Sequence, residues 1–362
     1  MYTDKKRVLI IAANDMGISG VPGVFMSIVR LLHDYFIFDI VITRDNYYHK
    51  NEFLSFGGNI YNIFEKNHSN KCRRIWYKLF EQNSEIKKKL NIIINSTHYD
   101  IIHSFKEDWS GIFFKVAKKQ HINKRILHIN RTYFKQSGLI GLYIKRRHKQ
   151  SIRLATHHIA VSNQAGKSYY GSISFQTIYN TYDERLYKYT ENKSTDLVLT
   201  QIGTFIPLKN QFFTIKVFGK IQKRFPNSQL NLVGSIHDTN YYKDCVEYIN
   251  KNNISNVNFF SNNNTDLRGI TSHSTATLLP SINEGLSIVA IESQAQGIHI
   301  FASTGVPKEV DCGNMMFLEL DENIWTETIF KYYKSHGNER CKTNMERFSN
   351  DTFVNSLLKI YN

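Results

Sequence analysis

The sequence is poor in the residues that define disulfide scaffolds, fibres and membrane spans. Only four cysteines occur in 362 residues (Cys72, Cys245, Cys312 and Cys341), with no C-x-x-C pair and no nearby histidine at zinc spacing. They read as free thiols of a reducing compartment, which excludes a disulfide framework or a zinc ribbon. Five prolines and 21% charged residues exclude a collagen-like or largely disordered chain. No apolar run approaches the roughly 20 residues that a membrane span requires. Basic residues precede an apolar stretch at the amino terminus, but its core, Val8–Ala13, is too short for a signal peptide and no small-residue cleavage site follows. It reads as a first buried strand. Acidic residues are scarce in one half only. Residues 1–180 hold 28 basic and 12 acidic side chains, whereas residues 181–362 hold 18 and 19. The whole net charge of +15 therefore resides in the first half. An anionic partner for that half is implied: a membrane surface, a nucleic acid or a phosphorylated substrate.

Apolar material is plentiful, at 41% hydrophobic and 13% aromatic residues. At about 150 residues per domain, the length suggests two domains or slightly more. Short β-branched runs alternate with amphipathic segments. In the first half the strands are Arg7–Ala13, Phe38–Thr43, Ile60–Phe64, Tyr99–Ser104, Arg125–Ile129 and His158–Ser162, the last closing the series. Helices fall at Val24–Asp34 and Gly111–Gln120. The second half repeats the pattern. Strands are expected at Leu197–Gly203, Gln229–Gly234, Val257–Phe260, Ala276–Pro280 and Ile298–Ala302, with helices at Gln211–Arg224, Tyr241–Asn252 and Leu286–Gln296. Near-continuous apolar strands separated by helices indicate parallel sheets covered on both faces. The fold class is α/β, with two Rossmann-like doubly wound domains facing a cleft, a common place for a ligand site. The polar turn around Asn180–Arg185 gives the boundaries 1–180 and 181–345, and residues 346–362 form a last helix expected to return to the first domain.

One stretch concentrates chemistry: Pro280-Ser281-Ile282-Asn283-Glu284-Gly285-Leu286-Ser287, followed by a helix carrying Glu292 and ending at Gly297. A helix that begins near Leu286 would present the backbone N–H groups of Gly285, Leu286 and Ser287 at its positive end, a cradle for a diphosphate. Ile288, Ile291 and Ala295 would face the core. Glu292 could accept hydrogen bonds from vicinal ribose hydroxyls, and Glu284 would lie nearer a transferred group. Solvated helix-start charges, favoured by the dipole, describe the same two glutamates.

The residues around them resemble the signature of the retaining family-4 glycosyltransferases (glycosyltransferase group 1): P-S-x-x-E-G-L/F, then a second glutamate eight positions after the first. Other stretches resemble the family in the same order along the chain. They are Gly17-Ile18-Ser19-Gly20-Val21 after the first strand, Asp100-Ile101-Ile102-His103-Ser104, Ile159-Ala160-Val161-Ser162 and Asn180-Thr181-Tyr182-Asp183. They continue with Ile202-Gly203-Thr204-Phe205, Lys209-Asn210, Leu230-Asn231-Leu232-Val233-Gly234 and Val257-Asn258-Phe259-Phe260. The branch most similar builds bacterial exopolysaccharide and O-antigen units. The resemblance implies a GT-B fold, a nucleotide-sugar donor (a UDP-sugar first), and transfer with retained configuration. It also implies no cofactor and no metal, and the sequence has no D-x-D pair of the kind that holds a divalent cation against a diphosphate. Glu284, His103 and Lys209 are the implied catalytic residues. Gly17, Gly20, Gly203, Thr204, Lys209, Asn283, Glu284, Gly285, Leu286, Ser287 and Glu292 are the implied donor contacts. Three positions depart from the family pattern. Thr204 stands where an arginine usually helps the lysine clamp the diphosphate; losing one such donor costs about 2–4 kcal/mol of transition-state stabilisation, and Arg268 is the candidate replacement. Phe105 replaces a second histidine, and the next strand reads His128-Ile129-Asn130-Arg131.

Clusters at Lys71–Arg74 with Trp76 and Tyr77, Lys87–Lys89, Lys118-Lys119 and Lys145–Lys149 with Tyr143 supply the excess positive charge. Individually they read as solvated helix faces. Together they suit the anionic inner leaflet, so the expected partners are that surface and a saccharide or lipid-linked saccharide acceptor. The expected location is cytoplasmic, on the inner face of the membrane. Rival readings are a nucleotide-sugar epimerase or phosphorylase on the same fold, a catalytically weakened homologue, or a nucleic-acid-binding protein. No RNA- or DNA-binding motif is present, so nucleic acid is not an expected partner.

Overall fold

The computed structural model describes residues 5–17, 20–63, 82–133, 137–261 and 267–362. The chain divides into two compact units, one of residues 1–179 with 353–362 and one of residues 180–352.

In the first unit, seven strands run in the order β3-β2-β1-β4-β5-β6-β7. They are β1 (Arg7–Ile11), β2 (Ile37–Ile42), β3 (Ile60–Asn62), β4 (Ile101–Ser104), β5 (Lys124–Ile129), β6 (His157–Ala160) and β7 (Gln176–Thr177), every neighbouring pair parallel. The sequence series closes one strand too early: β7 is a two-residue edge strand beside β6, too short to leave an apolar run. The central β1 and β4 are buried along almost their full length, as a parallel sheet covered on both faces requires. Asp39 on β2 is an interior carboxylate and is fully satisfied. Arg7 at 2.9 Å, the Tyr99 hydroxyl at 2.7 Å and the Asn59 N–H at 2.7 Å all donate to it.

In the second unit, six parallel strands run in the order β10-β9-β8-β11-β12-β13. They are β8 (Val198–Ile202), β9 (Gln229–Val233), β10 (Val257–Phe260), β11 (Ala276–Leu279), β12 (His299–Ser303) and β13 (Met315–Leu318). The core gathers Leu199, Leu230, Leu278 and Phe301 from these strands with Phe213, Phe218 and Trp325 from covering helices. β13 escapes the sequence reading because its sites are only partly buried. In both sheets the chain order reverses once, between β1 and β4 and between β8 and β11. The carboxyl ends of strands at such a switch point diverge into opposite connections and leave room for a ligand.

Candidate functional site

The second switch point is where Lys209 and Glu284 meet. After β8 the chain makes a short 3-10 turn, Pro207–Lys209, which ends on Asn210 in the left-handed region at φ 57°. After β11 it makes the turn Pro280–Ser287. The two connections are stitched together by backbone and side chain. The Ile282 N–H donates to the Leu208 carbonyl at 2.9 Å, and Asn210 Nδ2 donates to the Pro280 carbonyl at 3.3 Å. Gln201 Nε2 fixes the Lys209 carbonyl at 2.6 Å. The Lys209 Nζ then donates to Glu284 Oε1 at 2.5 Å, and the same oxygen accepts from Ser281 Oγ at 2.8 Å. The side chains retain 26% and 10% exposure, so the pair is sheltered yet reachable from solvent.

Glycines set the approach of these loops. A Cβ on Gly234 would lie 2.1 Å from the Gly203 carbonyl oxygen, and one on Gly305 would lie 2.3 Å from that of Ile282. Gly305 also accepts the Glu284 N–H at 3.1 Å. Gly305 is a site residue absent from the sequence reading; its signal was the Ser303-Thr304-Gly305 turn after β12. Thr204, where the cation was missing, is half-buried, and Gln211 Nε2 donates to its carbonyl at 2.9 Å and to that of Gly203 at 3.0 Å.

The helix after Glu284 corrects the sequence expectation. It runs Ile288–Ala295 and is capped by Ser287, whose Oγ accepts the Ala290 N–H at 3.3 Å. It therefore starts two residues later than expected. Gly285, Leu286 and Ser287 lie in the turn before the helix, and its first-turn amides belong to Ile288 and Val289. Its core face also differs: Ala290, Ile291, Ser293 and Gln294 are buried, whereas Ile288 and Ala295 are only half-buried. Interior polar bonds set that rotation. Ser293 meets Thr277 at 2.9 Å, and Gln294 bridges the Val310 carbonyl at 2.8 Å and the Cys312 N–H at 2.6 Å. Apolar periodicity cannot register such partners. Asn283 is exposed, and Leu286 and Ser287 are buried.

Glu292 sits on this helix with its carboxyl group enclosed although the residue as a whole is half-buried. Burial pushes its carboxyl up to about 8; the hydrogen bond from Tyr187 opposes that shift and nearby Asp183 adds to it. Arg268 lies close enough to Tyr187 to act on its phenol. Sequence reasoning missed Tyr187, which stands in a polar stretch with no pattern to mark it.

The remaining predicted residues belong to the first unit. Gly17 donates its N–H to Asp15 Oδ1 at 2.9 Å, and Gly20, at φ 68°, precedes the Val21–Leu32 helix. Ile18 and Ser19 between them lie outside the described residues, as do Phe64 and the Lys71–Arg74, Trp76 and Tyr77 cluster. His103 on β4 has no exposed surface. Its Nδ1 is 2.6 Å from the Tyr361 hydroxyl and its Nε2 is 3.0 Å from His128 Nδ1. Burial holds His103 well below the usual imidazole range, with His128 adding to the effect, and lowers His128 to about 3. Both ring nitrogens of His103 are thus engaged inside the first unit. Among the described residues, no group of three or more His, Cys, Asp or Glu side chains is placed to hold a metal ion, and no helix is long and apolar enough to cross a membrane.

Residues 184–311 match the family described as Glycosyl transferases group 1. EpsF of Bacillus subtilis (strain 168), which carries a glycosyltransferase name, is 22% identical over 392 residues, covering 100% of this chain and 98% of its own. The capsular polysaccharide biosynthesis glycosyltransferase CapH of Staphylococcus aureus is 26% identical over 66% of this chain and 70% of its own. Anabaena HepE, solved in complex with UDP, superposes with a TM-score of 0.75 at 13% identity, covering 98% of each chain. The fold is therefore of the GT-B kind. The group 1 glycosyl transferase match lies within the second unit, and the chain is a transferase.

Proposed function

We propose that the protein transfers a sugar, with retained configuration and without a metal ion, from a UDP-sugar to a growing, lipid-linked bacterial surface polysaccharide. The observation that carries this reading is the Lys209–Glu284 pair at the β8/β11 switch point, just ahead of the Glu292 helix and inside the matched family region. HepE binds UDP and UDP-glucose in its solved complexes, and CapH is named for capsular polysaccharide biosynthesis, which supports the choice of donor and acceptor class.

The side chains take complementary roles in this account. The diphosphate competes with Glu284 for the Lys209 ammonium and offers it more negative charge than a single carboxylate can. The Ile288 and Val289 amides at the head of the helix add dipole stabilisation to the leaving group. Glu284, released from Lys209 and still held by Ser281, orients the donor sugar. Glu292 accepts hydrogen bonds from the ribose hydroxyls, with Tyr187 fixing its carboxyl. Arg268, beside Tyr187, supplies the cation that Thr204 does not. Gly17 and Gly20 are the first unit's donor contacts in this reading, and His103 contributes by orienting the first unit's strand end. The acceptor hydroxyl attacks from the face the diphosphate leaves and passes its proton to the departing diphosphate oxygen, so no side chain is the nucleophile. The basic first unit rests on the anionic inner leaflet.

The test is acceptor-dependent UDP release from UDP-sugar, with EDTA present and membrane lipid extract as acceptor source. Glu284→Ala should lower turnover by about two to three orders of magnitude, the effect of deleting one transition-state contact, with an unchanged circular dichroism spectrum. Full turnover in that variant would remove Glu284 from the reacting centre. UDP release without acceptor, or epimerised donor, would contradict transfer.

A further inference from the structure

The first unit carries an apolar groove that the donor site does not use. Its floor and one wall come from the Gly138–Leu154 helix, and the other wall from residues 168–173. Along the helix, Gly138, Gly141, Leu142, Lys145, Lys149 and Ile152 recur every three to four residues and so share one face. The two glycines keep that face low, which opens a cavity of about 930 Å³, within the roughly 300–1,000 Å³ range of small-ligand sites. Leu142 stands 65% exposed and Ile173 42% exposed, an unfavourable display of apolar surface for a face that nothing covers among the described residues. Lys145 and Lys149, one turn apart, rise exposed from the same face, and among the described residues no carboxylate lines the groove.

A second cavity of about 270 Å³ adjoins it and shares Tyr133 and Tyr169 as a wall. This one is polar, with Lys106, Glu107, Asp108, Arg131 and Thr132 around it. Its wall is fixed by Asp108, which accepts from the Tyr169 hydroxyl at 2.9 Å and faces His148 Nδ1 at 3.0 Å. Arg131 pairs with Glu107, a non-glycine residue held at φ 48°. The two ammonium groups thus stand on the apolar groove's own face, and the polar cavity adjoins that groove across Tyr133 and Tyr169.

We propose that this groove seats the lipid chain of the acceptor, with the acceptor's phosphates on Lys145 and Lys149 and its sugar directed toward the Glu107–Arg131 cavity. The adjoining chemistries are those of a lipid diphosphate carrying a saccharide: chain against Leu142, Ile152 and Ile173, anion against two cations, hydroxyls against carboxylates and guanidinium. A bilayer surface alone needs no groove, and a water-soluble saccharide needs no apolar wall. The inference rests on the transferase reading for the identity of the sugar, but not for the binding of the chain.

Farnesyl diphosphate titrated into the purified full chain, followed by calorimetry, tests it, with UDP-induced thermal shift measured on the same samples. Wild type should bind farnesyl diphosphate at least tenfold more tightly than it binds farnesol or inorganic pyrophosphate. Leu142→Glu and the double variant Lys145→Glu/Lys149→Glu, all at exposed positions, should each weaken it at least tenfold while the UDP shift is unchanged. No binding by wild type, equal affinity in both variants, or pyrophosphate binding as tightly as farnesyl diphosphate would overturn the groove even where the UDP shift is intact. Groove-dependent binding of farnesyl diphosphate without any nucleotide shift would uphold the groove and contradict the UDP-sugar donor reading.

Discussion

Glu292 shows how much a single residue's surroundings decide its chemistry. Its carboxyl is raised to about 8 by burial, so the folded protein holds this proton more tightly than the unfolded chain, whose glutamate titrates near 4.5. Stability associated with the proton is fully present below about 4.5 and is lost as pH rises through about 8. Glu292→Gln cannot ionise, so its Tm should match that of wild type near pH 4.5, exceed it increasingly from there to about pH 8 and keep a constant lead above; parallel curves across that range would show that Glu292 is not enclosed in solution. Ribose hydroxyls that donate to the carboxylate favour its charged form, so in the same account UDP affinity climbs with pH toward 8. Lys209 and Glu284 present a different case. Their ion pair is partly open to solvent, and such pairs contribute little to stability, about 0–1 kcal/mol. Its importance is positional, because it holds an ammonium and a carboxylate at one strand switch point.

The connections between elements depend on close backbone approaches that leave no room for a side chain. Gly305→Ala would set a Cβ 2.3 Å from the Ile282 carbonyl, so the Pro280–Ser287 turn must move. Overpacking of this kind costs about 1–3 kcal/mol. The variant should fold with a lower Tm and lose nucleotide binding beyond what the Tm accounts for; undiminished binding would mean that the turn does not carry the donor. At this scale the sequence was partly legible. The strands that alternate with helices could be read because they are predominantly apolar, as at Val8–Ile11 and, interrupted only by Asn231, at Leu230–Val233. β7 and β13 were not, one being two residues long and the other only partly buried. The Gly138–Leu154 helix showed only as a solvated basic face at Lys145–Lys149, because its basic residues and exposed Leu142 blur the apolar stripe. Glu284, Glu292 and Lys209 were visible through their spacing and flanking residues. The Ser287 cap moved the start of the helix by two residues, and Tyr187 and Gly305 act through contacts made only in the folded chain. His103 was legible as a strand histidine, but its enclosure by Tyr361 and His128 joins residues 258 and 25 positions away.

Across the whole molecule, charge and chemistry are divided between the halves of the chain: the excess of basic residues lies in the first, and the Lys209, Glu284 and Glu292 constellation in the second. An anionic bilayer contributes about 1 kcal/mol per lysine or arginine near its surface, and salt screens that attraction. The full chain should therefore float with phosphatidylglycerol-containing vesicles at low salt and be released at about 0.5 M salt, well beyond the screening of physiological buffer. Equal recovery with neutral and anionic vesicles would contradict a membrane-facing first half. The second half holds the proposed metal-free nucleotide-sugar site, on Lys209, Glu284 and Glu292. It is tested most directly by the thermal shift of the protein with UDP in the presence of EDTA, comparing wild type with Glu292→Ala. A ligand at a hundred times its Kd stabilises by about 2.7 kcal/mol, so wild type should show a shift of several degrees that survives EDTA and is absent in the variant. No shift in wild type, or one that EDTA abolishes or Glu292→Ala leaves intact, would contradict the account.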